Sequence, residues 1–358
     1  MKRVVTFLAL TINIISSVAQ KAEVDEGLDD ENYISLPVPR KSIVSGIHFT
    51  SISVFDERFD TLTLGFAQDI QKNRGELRVK RGIAFNSQKF YKETLGIDSG
   101  TTNGIKLIAY IKKVFLSDFI YAEMPEDVRT NLKKWDRTQF SGVIAEIEFF
   151  ACENENYYPL YRFDSTIIGI KNIKTEGGLY IADALTASLK KLGSFNWETI
   201  KADRKVIAEK LLKERYKTRM DISILTQQPL TGVYFSFEDF KMNKPVISEF
   251  KFEKKAKRNF LYVKSKKGED SLCQAFWGFF DGSSFYIYIT GNFYMLNKQR
   301  NSFCFFGIKD FRLKRTDLDL SFLNLIPPYS PNSKYRNNIS FDPVKAYFLL
   351  DMDSGDLY

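Results

Sequence analysis

The chain has very few side chains suited to imidazole catalysis or to metal binding. Its 358 residues include one histidine, His48, and three cysteines, Cys152, Cys273 and Cys304. Catalytic triads need an imidazole base, and closed zinc sites need several His or Cys ligands. The sequence also lacks zinc-binding, nucleophile-elbow and phosphate-loop motifs. The composition therefore predicts a protein that is not an enzyme and uses neither a metal nor another cofactor.

Beyond its first residues, the chain also lacks an apolar run long enough to span a bilayer. Residues 2–3 are basic, residues 4–15 are mostly apolar, and Ser17-Val18-Ala19 supplies small residues before Gln20. This pattern predicts a signal peptide over residues 1–20. A membrane anchor is the alternative, but spanning needs about 20 apolar residues. We therefore expect an exported mature protein that is periplasmic, outer-membrane-associated or secreted, with no transmembrane segment after cleavage.

Aromatic residues are abundant and unevenly distributed. They make up 15% of the sequence, with 32 phenylalanines and 18 tyrosines, which favours sheet over helix. Residues 21–42 are acidic, contain two prolines and predict a flexible linker. Residues 43–226 predict an α/β domain, and residues 227–358 predict an aromatic β-rich domain. The expected fold class is α+β: an N-terminal sheet covered by one or two helices, followed by a mostly antiparallel, aromatic-rich β meander or partly open barrel.

The clearest helical pattern covers residues 175–192, where apolar side chains recur at helical spacing before Gly193. The apolar stripe consists of Leu179, Ala182, Leu185, Leu189 and Leu192. Residues 198–217 predict a second, strongly charged helix, and residues 221–225 predict a short extended segment. The two helices would supply the helical layer of the first domain.

The most aromatic stretch runs from Cys273 to Ile308. Its aromatic residues are Phe276, Trp277, Phe279, Phe280, Phe285, Tyr286, Tyr288, Phe293, Tyr294, Phe303, Phe305 and Phe306. Turn residues at 281–282, 291–292 and 297–301 separate these aromatics, so the pattern predicts four short antiparallel strands. Because side chains alternate along a strand, Phe285 would face the core. Tyr286 and Tyr288 would face the other side, either as a wall for a ligand or partner or as part of the core.

Basic residues concentrate beside these aromatic strands. The cluster comprises Lys251, Lys254, Lys255, Lys257, Arg258, Lys264, Lys266 and Lys267. Cations interleaved with aromatic rings can bind a sugar polymer or single-stranded nucleic acid. An exported protein meets little nucleic acid, so the candidate ligands are an anionic polysaccharide and lipid head groups. The candidate binding residues are Lys254, Lys255, Lys257 and Arg258 together with Tyr286 and Tyr288. A solvated hairpin tip that protects an edge strand is the alternative.

The cysteines allow two interpretations. Cys273 and Cys304 bracket the aromatic strands, and a bridge between them would stabilise the fold by about 3–4 kcal/mol in the chain-entropy model. The alternative is that Cys152, Cys273 and Cys304 are all buried thiols that act as small apolar side chains.

Two groups of carboxylates are candidate sites. Glu146 and Glu148 would share one face of a strand, either as an acid–base pair for hydrolysis or as a solvated face. Asp351, Asp353 and Asp356 resemble the start of a calcium loop, but Gly355 comes one place early and no distal glutamate follows. We expect a turn there.

Three segments resemble uncharacterised exported two-domain proteins of Gram-negative bacteria, a group without an assigned activity. These segments are Tyr157-Tyr158-Pro159-Leu160-Tyr161-Arg162-Phe163-Asp164, Gly232-Val233-Tyr234 with Phe237-Glu238-Asp239-Phe240 and Asn243-Lys244-Pro245, and Trp277-Gly278-Phe279 with Asp281-Gly282. The resemblance implies no activity and no functional residues. With the composition, it leads us to expect a non-catalytic binding or structural module of the bacterial cell envelope, whose partner is an envelope protein. The alternatives are a polysaccharide- or lipid-head-group-binding protein that uses residues 251–267, and a carboxylate-based hydrolase.

Overall fold

The fold is α+β, as predicted, and its larger part is an eight-stranded mixed sheet. The computed structural model describes residues 32–39, 42–68, 74–97, 104–119, 140–169, 173–255, 258–264, 268–289, 291–308 and 345–358. The sheet contains β1 (Tyr33–Ile34), β2 (Phe49–Asp56), β3 (Gly65–Gln68), β4 (Arg74–Val79), β5 (Ile105–Phe119), β6 (Phe140–Glu153), β7 (Asn156–Gly169) and β8 (Ile207–Ala208). Its order is β1-β4-β3-β5-β6-β7-β8, and β2 pairs with β5 in parallel.

Helices cover both faces of this sheet. The helices of the described chain are α1 (Gly82–Leu95), α2 (Ile173–Leu189), α3 (Trp197–Asp203), α4 (Glu209–Met220), α5 (Ser223–Thr226) and α6 (Phe237–Lys241). Helices α1 and α2 enclose the main core on one face. Leu212 and Tyr216 of α4 pack on the opposite face with Tyr110. Consequently, both sides of β5 are buried, which explains its nearly continuous apolar run.

The predicted helix over residues 175–192 is present as α2, which continues as a 3-10 turn over Lys190–Ser194. Its approach to the chain near β1 depends on Gly178, where an added Cβ would overlap the carbonyl oxygen of Ser35. Because backbone cannot move aside as a side chain can, Gly178→Ala should lower the free energy of unfolding by about 1–3 kcal/mol. Chemical denaturation would measure this loss.

Gly177→Ala is the matched control for that prediction. Its added Cβ would meet only the ends of the Leu116 and Ile34 side chains, which can rotate. Alanine also favours helix over glycine by about 0.5–1 kcal/mol. We expect this variant to stay close to the parent in stability, and an equal loss in both variants would contradict the role assigned to Ser35.

The second part of the fold consists of two antiparallel sheets. Their strands are β9 (Gly232–Tyr234), β10 (Phe250–Lys255), β11 (Arg258–Lys264), β12 (Asp270–Leu272), β13 (Gly278–Phe280), β14 (Phe285–Ile289), β15 (Asn292–Gln299), β16 (Ser302–Ile308) and β17 (Lys345–Leu350). One sheet has the order β17-β16-β15-β14-β13-β9, and the other has the order β10-β11-β12. Strands β13 to β16 are the four predicted strands of the aromatic stretch, so that prediction is confirmed.

The six-stranded sheet packs its two faces into different clusters. Phe285 and Ile287 point toward Phe240 of α6, in a core that also contains Phe303. Helix α6 is fixed at its start by a reciprocal capping box between Ser236 and Asp239. The other face meets the three-stranded sheet through a separate aromatic cluster. The aromatic side chains therefore build two cores on either side of one sheet.

Several local predictions differ from the structure. Ile34, inside the predicted linker, is buried and belongs to β1, which pairs with β4. Residues 221–225 contain the start of helix α5 rather than an extended segment, and the predicted helix over 198–217 is divided into α3 and α4 by β8. The predicted signal peptide lies outside the described residues. Asn32–Tyr358 form one compact unit, and the division at residue 226 stays a prediction.

None of the described helices combines the length and the apolar character that a transmembrane helix needs.

Candidate functional site

The register of the three-stranded sheet gathers aromatic and charged side chains on one face. Lys251 lies opposite Tyr262, Glu253 opposite Phe260, and Tyr262 opposite Leu272. Directly opposite residues of antiparallel strands share a face. This surface, called the outer face below, consists of Lys251, Glu253, Lys255, Phe260, Tyr262, Lys264, Asp270 and Leu272. The alternate residues, including Phe252 and Leu261, pack toward the six-stranded sheet.

Apolar groups on the outer face remain accessible. Phe260 and Tyr262 are half-buried, and their ring centroids lie 6.4 Å apart. Leu272 is 43% exposed. Two neighbouring rings and an exposed leucine form an apolar strip on a sheet face, bordered by long charged side chains. Such a strip can contact the apolar face of a sugar ring or of another planar group.

Lys255 connects the charged and aromatic parts of the outer face. Its Nζ lies 4.6 Å from the centroid of the Tyr262 ring, 3.0 Å from the Tyr262 hydroxyl and 3.2 Å from Glu253 Oε2. The hydrogen bond to Tyr262, followed by that to Glu253, raises the pKa of Lys255. Lys251 also pairs with Glu253, whose pKa is lowered by the hydrogen bonds from Lys251 and then Lys255. Lys255 therefore carries its charge throughout the physiological pH range.

The pairs on the outer face are exposed and weakly held. Lys264 Nζ lies 2.9 Å from Asp270 Oδ1, and both side chains are about half exposed. Exposed ion pairs contribute roughly 0–1 kcal/mol. Among the side chains that the structure describes on this face, three lysines accompany two carboxylates, which leaves one positive charge in excess. An arriving anion can therefore replace Glu253 or Asp270 as the partner of a lysine at little free-energy cost.

The predicted basic residues do not all share this surface. Lys255 belongs to the outer face, but Lys254 is exposed on the opposite side of β10, across from Asn259. Arg258 is the first residue of β11 and pairs with Lys255 across the ladder. Lys257 lies outside the described residues. The lysine cluster is therefore divided by the alternation of strand side chains.

Tyr286 and Tyr288 lie beneath the three-stranded sheet, not on an open wall. Tyr286 stacks on Phe279 with centroids 4.7 Å apart and also contacts the ring of Phe252. Tyr288 stacks on Phe276 with centroids 4.7 Å apart. Both tyrosines are half-buried in the cluster between the two sheets. The structure thus separates these tyrosines from Lys255, with which the sequence grouped them, and supports the core alternative for their side of β14.

The proposed bridge between Cys273 and Cys304 is absent from the structure, in which all three cysteines are thiols. Cys273 packs in the cluster beneath the three-stranded sheet. Cys304 lies in a different cluster with Phe66 and Phe115, and its Sγ is 3.2 Å from Gln299 Oε1. The thiols pack against different elements, so the bracketing spacing does not bring them together.

Phe260 and Tyr262 are the site residues that sequence reasoning missed. The signal was present, because residues 258, 260, 262 and 264 alternate with the apolar Leu261 and Val263. Reading that alternation would have placed two aromatics and Lys264 on one face. The residues of β10 and β12 that lie opposite them could not be assigned from the sequence. The sequences of the connecting loops do not determine the register in which the three strands pair.

Glu146 and Glu148 are buried, which corrects the expectation of a solvated face. They are 4% and 7% exposed. Lys112 Nζ lies 2.7 Å from Glu146 Oε1 and 3.6 Å from Glu148 Oε1. Arg162 pairs with Glu146, while Arg215 and the Tyr216 hydroxyl of α4 bind Glu148 at 2.9 and 2.6 Å. Lys112, Glu146, Glu148, Arg162, Arg215 and Tyr216 are called the buried network below.

A β-bulge explains how two adjacent lysines serve different carboxylates. The pairing of β5 with β6 shifts register between Ile111 and Lys113, so Lys112 is the extra residue. Lys112 reaches the buried network, and Lys113 Nζ lies 2.5 Å from Asp351 Oδ2. Burial alone would raise the pKa of Asp351, but the Lys113 ammonium and hydrogen bonds, including one from Tyr358, lower it overall. Asp351 is thus an ion-pair partner in a turn.

The remaining predicted polar sites have ordinary structural settings. His48 is exposed. Asp353 forms an ion pair with Arg219 at 2.6 Å, which agrees with a turn at this position. Within the described ranges, no three His, Cys, Asp or Glu side chains are grouped so that they could hold a metal ion.

Comparisons with protein-family models, with curated proteins and with solved structures find no match to this chain. No residue role is therefore transferred from another protein. The resemblance to exported two-domain proteins stays a prediction.

Proposed function

We propose that this chain is an exported, non-catalytic binding module of the bacterial cell envelope, and that its outer face binds an anionic polysaccharide. The supporting observation is the position of the Lys255 ammonium over the Tyr262 ring, beside Phe260 and an exposed Leu272. Apolar rings would contact the CH faces of sugar units. Lys251, Lys255 and Lys264 would bind their carboxylates or sulfates.

The shape of the surface favours a polymer over a small molecule. Strands β10, β11 and β12 form a sheet rather than a pocket, and the outer face extends along and across these strands. Individual contacts of this kind are weak, but repeated units of a polymer bring several contacts into one complex. Because the lysine pairs are exposed, affinity should fall as salt concentration rises.

Charge reversal at Lys255 tests this proposal. Affinity for polygalacturonate, measured by isothermal titration calorimetry at low salt, should fall at least about tenfold in Lys255→Glu, because an attractive charge becomes repulsive. Tyr262→Ala should also weaken binding by removing the ring. Neutral dextran should bind far more weakly than polygalacturonate to the parent protein.

Lys254→Glu is the matched control, since it makes the same charge change on the same strand but on the opposite side of the sheet. We expect it to change affinity only through the long-range charge, by about twofold or less at physiological salt. Equal losses for Lys254→Glu and Lys255→Glu would refute binding at the outer face. Binding of anionic lipid vesicles but not of polygalacturonate would replace the polysaccharide with lipid head groups.

A further inference from the structure

A cleft lies on the face of the eight-stranded sheet that α4 covers, between α4 and edge strand β2. It has a volume of about 340 Å³, near the lower end of the range for small-ligand sites. Phe55 and Glu57 line it from the end of β2, and Tyr110 and Tyr157 line it from β5 and β7. Tyr216 and neighbouring residues of α4 complete the wall. The cleft is separate from the outer face.

Aromatic rings form a fixed stack along this cleft. The Tyr110 ring lies between Phe55 and Tyr216, with centroid distances of 5.0 and 4.3 Å and nearly parallel planes. Phe55 is the end of the stack and is 42% exposed, so one of its faces is free for a ligand. Tyr216 is held in turn by its hydrogen bond to Glu148 at 2.6 Å. The cleft thus presents a preorganised ring surface.

Glu57 supplies a carboxylate without a direct side-chain partner beside these rings. Among the described residues, its side chain forms neither an ion pair nor a hydrogen bond. Burial raises the pKa of Glu57, a shift that the nearby Arg219 guanidinium offsets in part. Arg219 is directed elsewhere, because it binds Asp353 through Nε and Nη2 and donates to the Glu57 carbonyl oxygen through Nη1. A partly buried carboxylate without a direct partner is unfavourable, and a bound cation would relieve that cost.

The other charges at the cleft do not reverse this preference. Lys213 is paired with Glu209 at 2.6 Å, and its side chain is 69% exposed. Lys217 is also exposed. Exposed charges are screened by solvent and salt, whereas a partly buried charge is screened much less. Among the charged residues that line the cleft, Glu57 is therefore the partly buried one without an ion-pair partner.

We propose that this cleft is a binding site for an organic cation, an alkylammonium group that lies on the Phe55 ring and forms an ion pair with Glu57. Cations are attracted to the faces of aromatic rings, and the effect is larger where water is excluded. An anionic ligand on the Phe55 ring would be repelled by the Glu57 carboxylate. A neutral ligand would leave the Glu57 carboxylate without compensation.

Choline and its neutral carbon isostere, dimethylbutanol, form the discriminating pair of probes for the intact protein. They have nearly the same shape and differ in the charge of the head group. Ligand-observed NMR titration should show saturable choline binding, with the isostere at least about tenfold weaker. Equal affinities, or no saturable choline binding at about 10 mM, would overturn the proposal.

Amino-acid substitutions test whether choline binds in this cleft. Glu57→Gln should weaken choline binding about tenfold, toward the affinity of the isostere, and Phe55→Leu should weaken it severalfold while keeping an apolar side chain. Glu214→Gln is the control, because it removes an equally charged but exposed carboxylate of α4 that does not line the cleft. Circular dichroism verifies folding of each variant. Unchanged choline binding in folded Glu57→Gln, or an equal loss of affinity in Glu214→Gln, would contradict the assignment of the cleft. A failure of polysaccharide binding at the outer face would leave that assignment unaffected.

Discussion

Replacing Lys112 with methionine should lower the free energy of unfolding by about 3–5 kcal/mol. Lys112 is the cation shared by Glu146 and Glu148, and its side chain is only 12% exposed. Without it, two buried carboxylates two residues apart on β6 would repel each other. Arg162 and Arg215 would then be the only cations left to compensate them. Removing one partner of a buried ion pair is strongly destabilising because it leaves a buried charge without compensation. Replacing the whole pair with apolar residues costs much less free energy.

Urea denaturation at neutral pH would measure the change, and Lys210→Met provides the reference. Lys210 forms a surface pair with Glu214, with side chains 86% and 56% exposed, so its loss should change stability by less than about 0.5 kcal/mol. The double variant Glu146→Gln, Lys112→Met should recover part of the lost stability because it removes one uncompensated charge. If Lys112→Met behaved like Lys210→Met, the buried network would not be a stabilising unit.

Truncation of Phe240 to alanine is the second change with a large expected effect, a loss of about 3–5 kcal/mol. Phe240 is 1% exposed and is surrounded by other rings. Its centroid lies 4.5 Å from that of Trp277 and 5.2 Å from that of Phe303. The rings come from α6, from the residue just before β13 and from β16, so neighbouring backbone cannot easily close the resulting cavity.

Thermal and chemical denaturation of Phe240→Ala would be compared with Phe235→Ala. Phe235 lies between β9 and α6 and is 40% exposed, so the same truncation there should cost about 1 kcal/mol or less. Near-ultraviolet circular dichroism should also change in Phe240→Ala, because the stacked Trp277 would lose its neighbour. Similar losses for the two variants would show that Phe240 is not central to this core.

The parts of the fold that could be predicted are those with local determinants. Strands β13 to β16 follow from aromatic alternation interrupted by turn residues, and α2 follows from an apolar stripe that ends before a glycine. The helix of residues 237–241 is likewise specified locally by its capping box. In each case, the residues that fix the conformation lie within a few positions of the element.

The parts that could not be predicted depend on distant segments. Glu146 and Glu148 have the spacing of a solvated strand face, but α4, some 60 residues later in the sequence, covers them and supplies Arg215 and Tyr216. The bulge that directs Lys112 toward them has no local sequence marker. To predict that these carboxylates are buried, one would have to know which helix packs on which face of the sheet.

The candidate site shows the same division. Alternation alone separates Lys254 from Lys255 and would have grouped Phe260 with Tyr262. The placement of Tyr286 beneath the three-stranded sheet was not accessible from the sequence, because a second sheet covers that face only through packing between the sheets. Local pattern thus determines which side chains share a face, whereas tertiary packing determines which face is open.

The contacts of residues 345–358 have a consequence for the order of folding. Strand β17 pairs with β16, while Tyr358 and Asp351 bind Lys113 of β5, across a separation of 245 residues between Lys113 and Tyr358. Closing so long a loop carries an entropic penalty that local pairings do not share. The eight-stranded and six-stranded sheets are therefore expected to attach to each other late, through this last segment and through the ion pair of Arg300 with Asp60. Resistance to proteolysis should mature only when that attachment is complete.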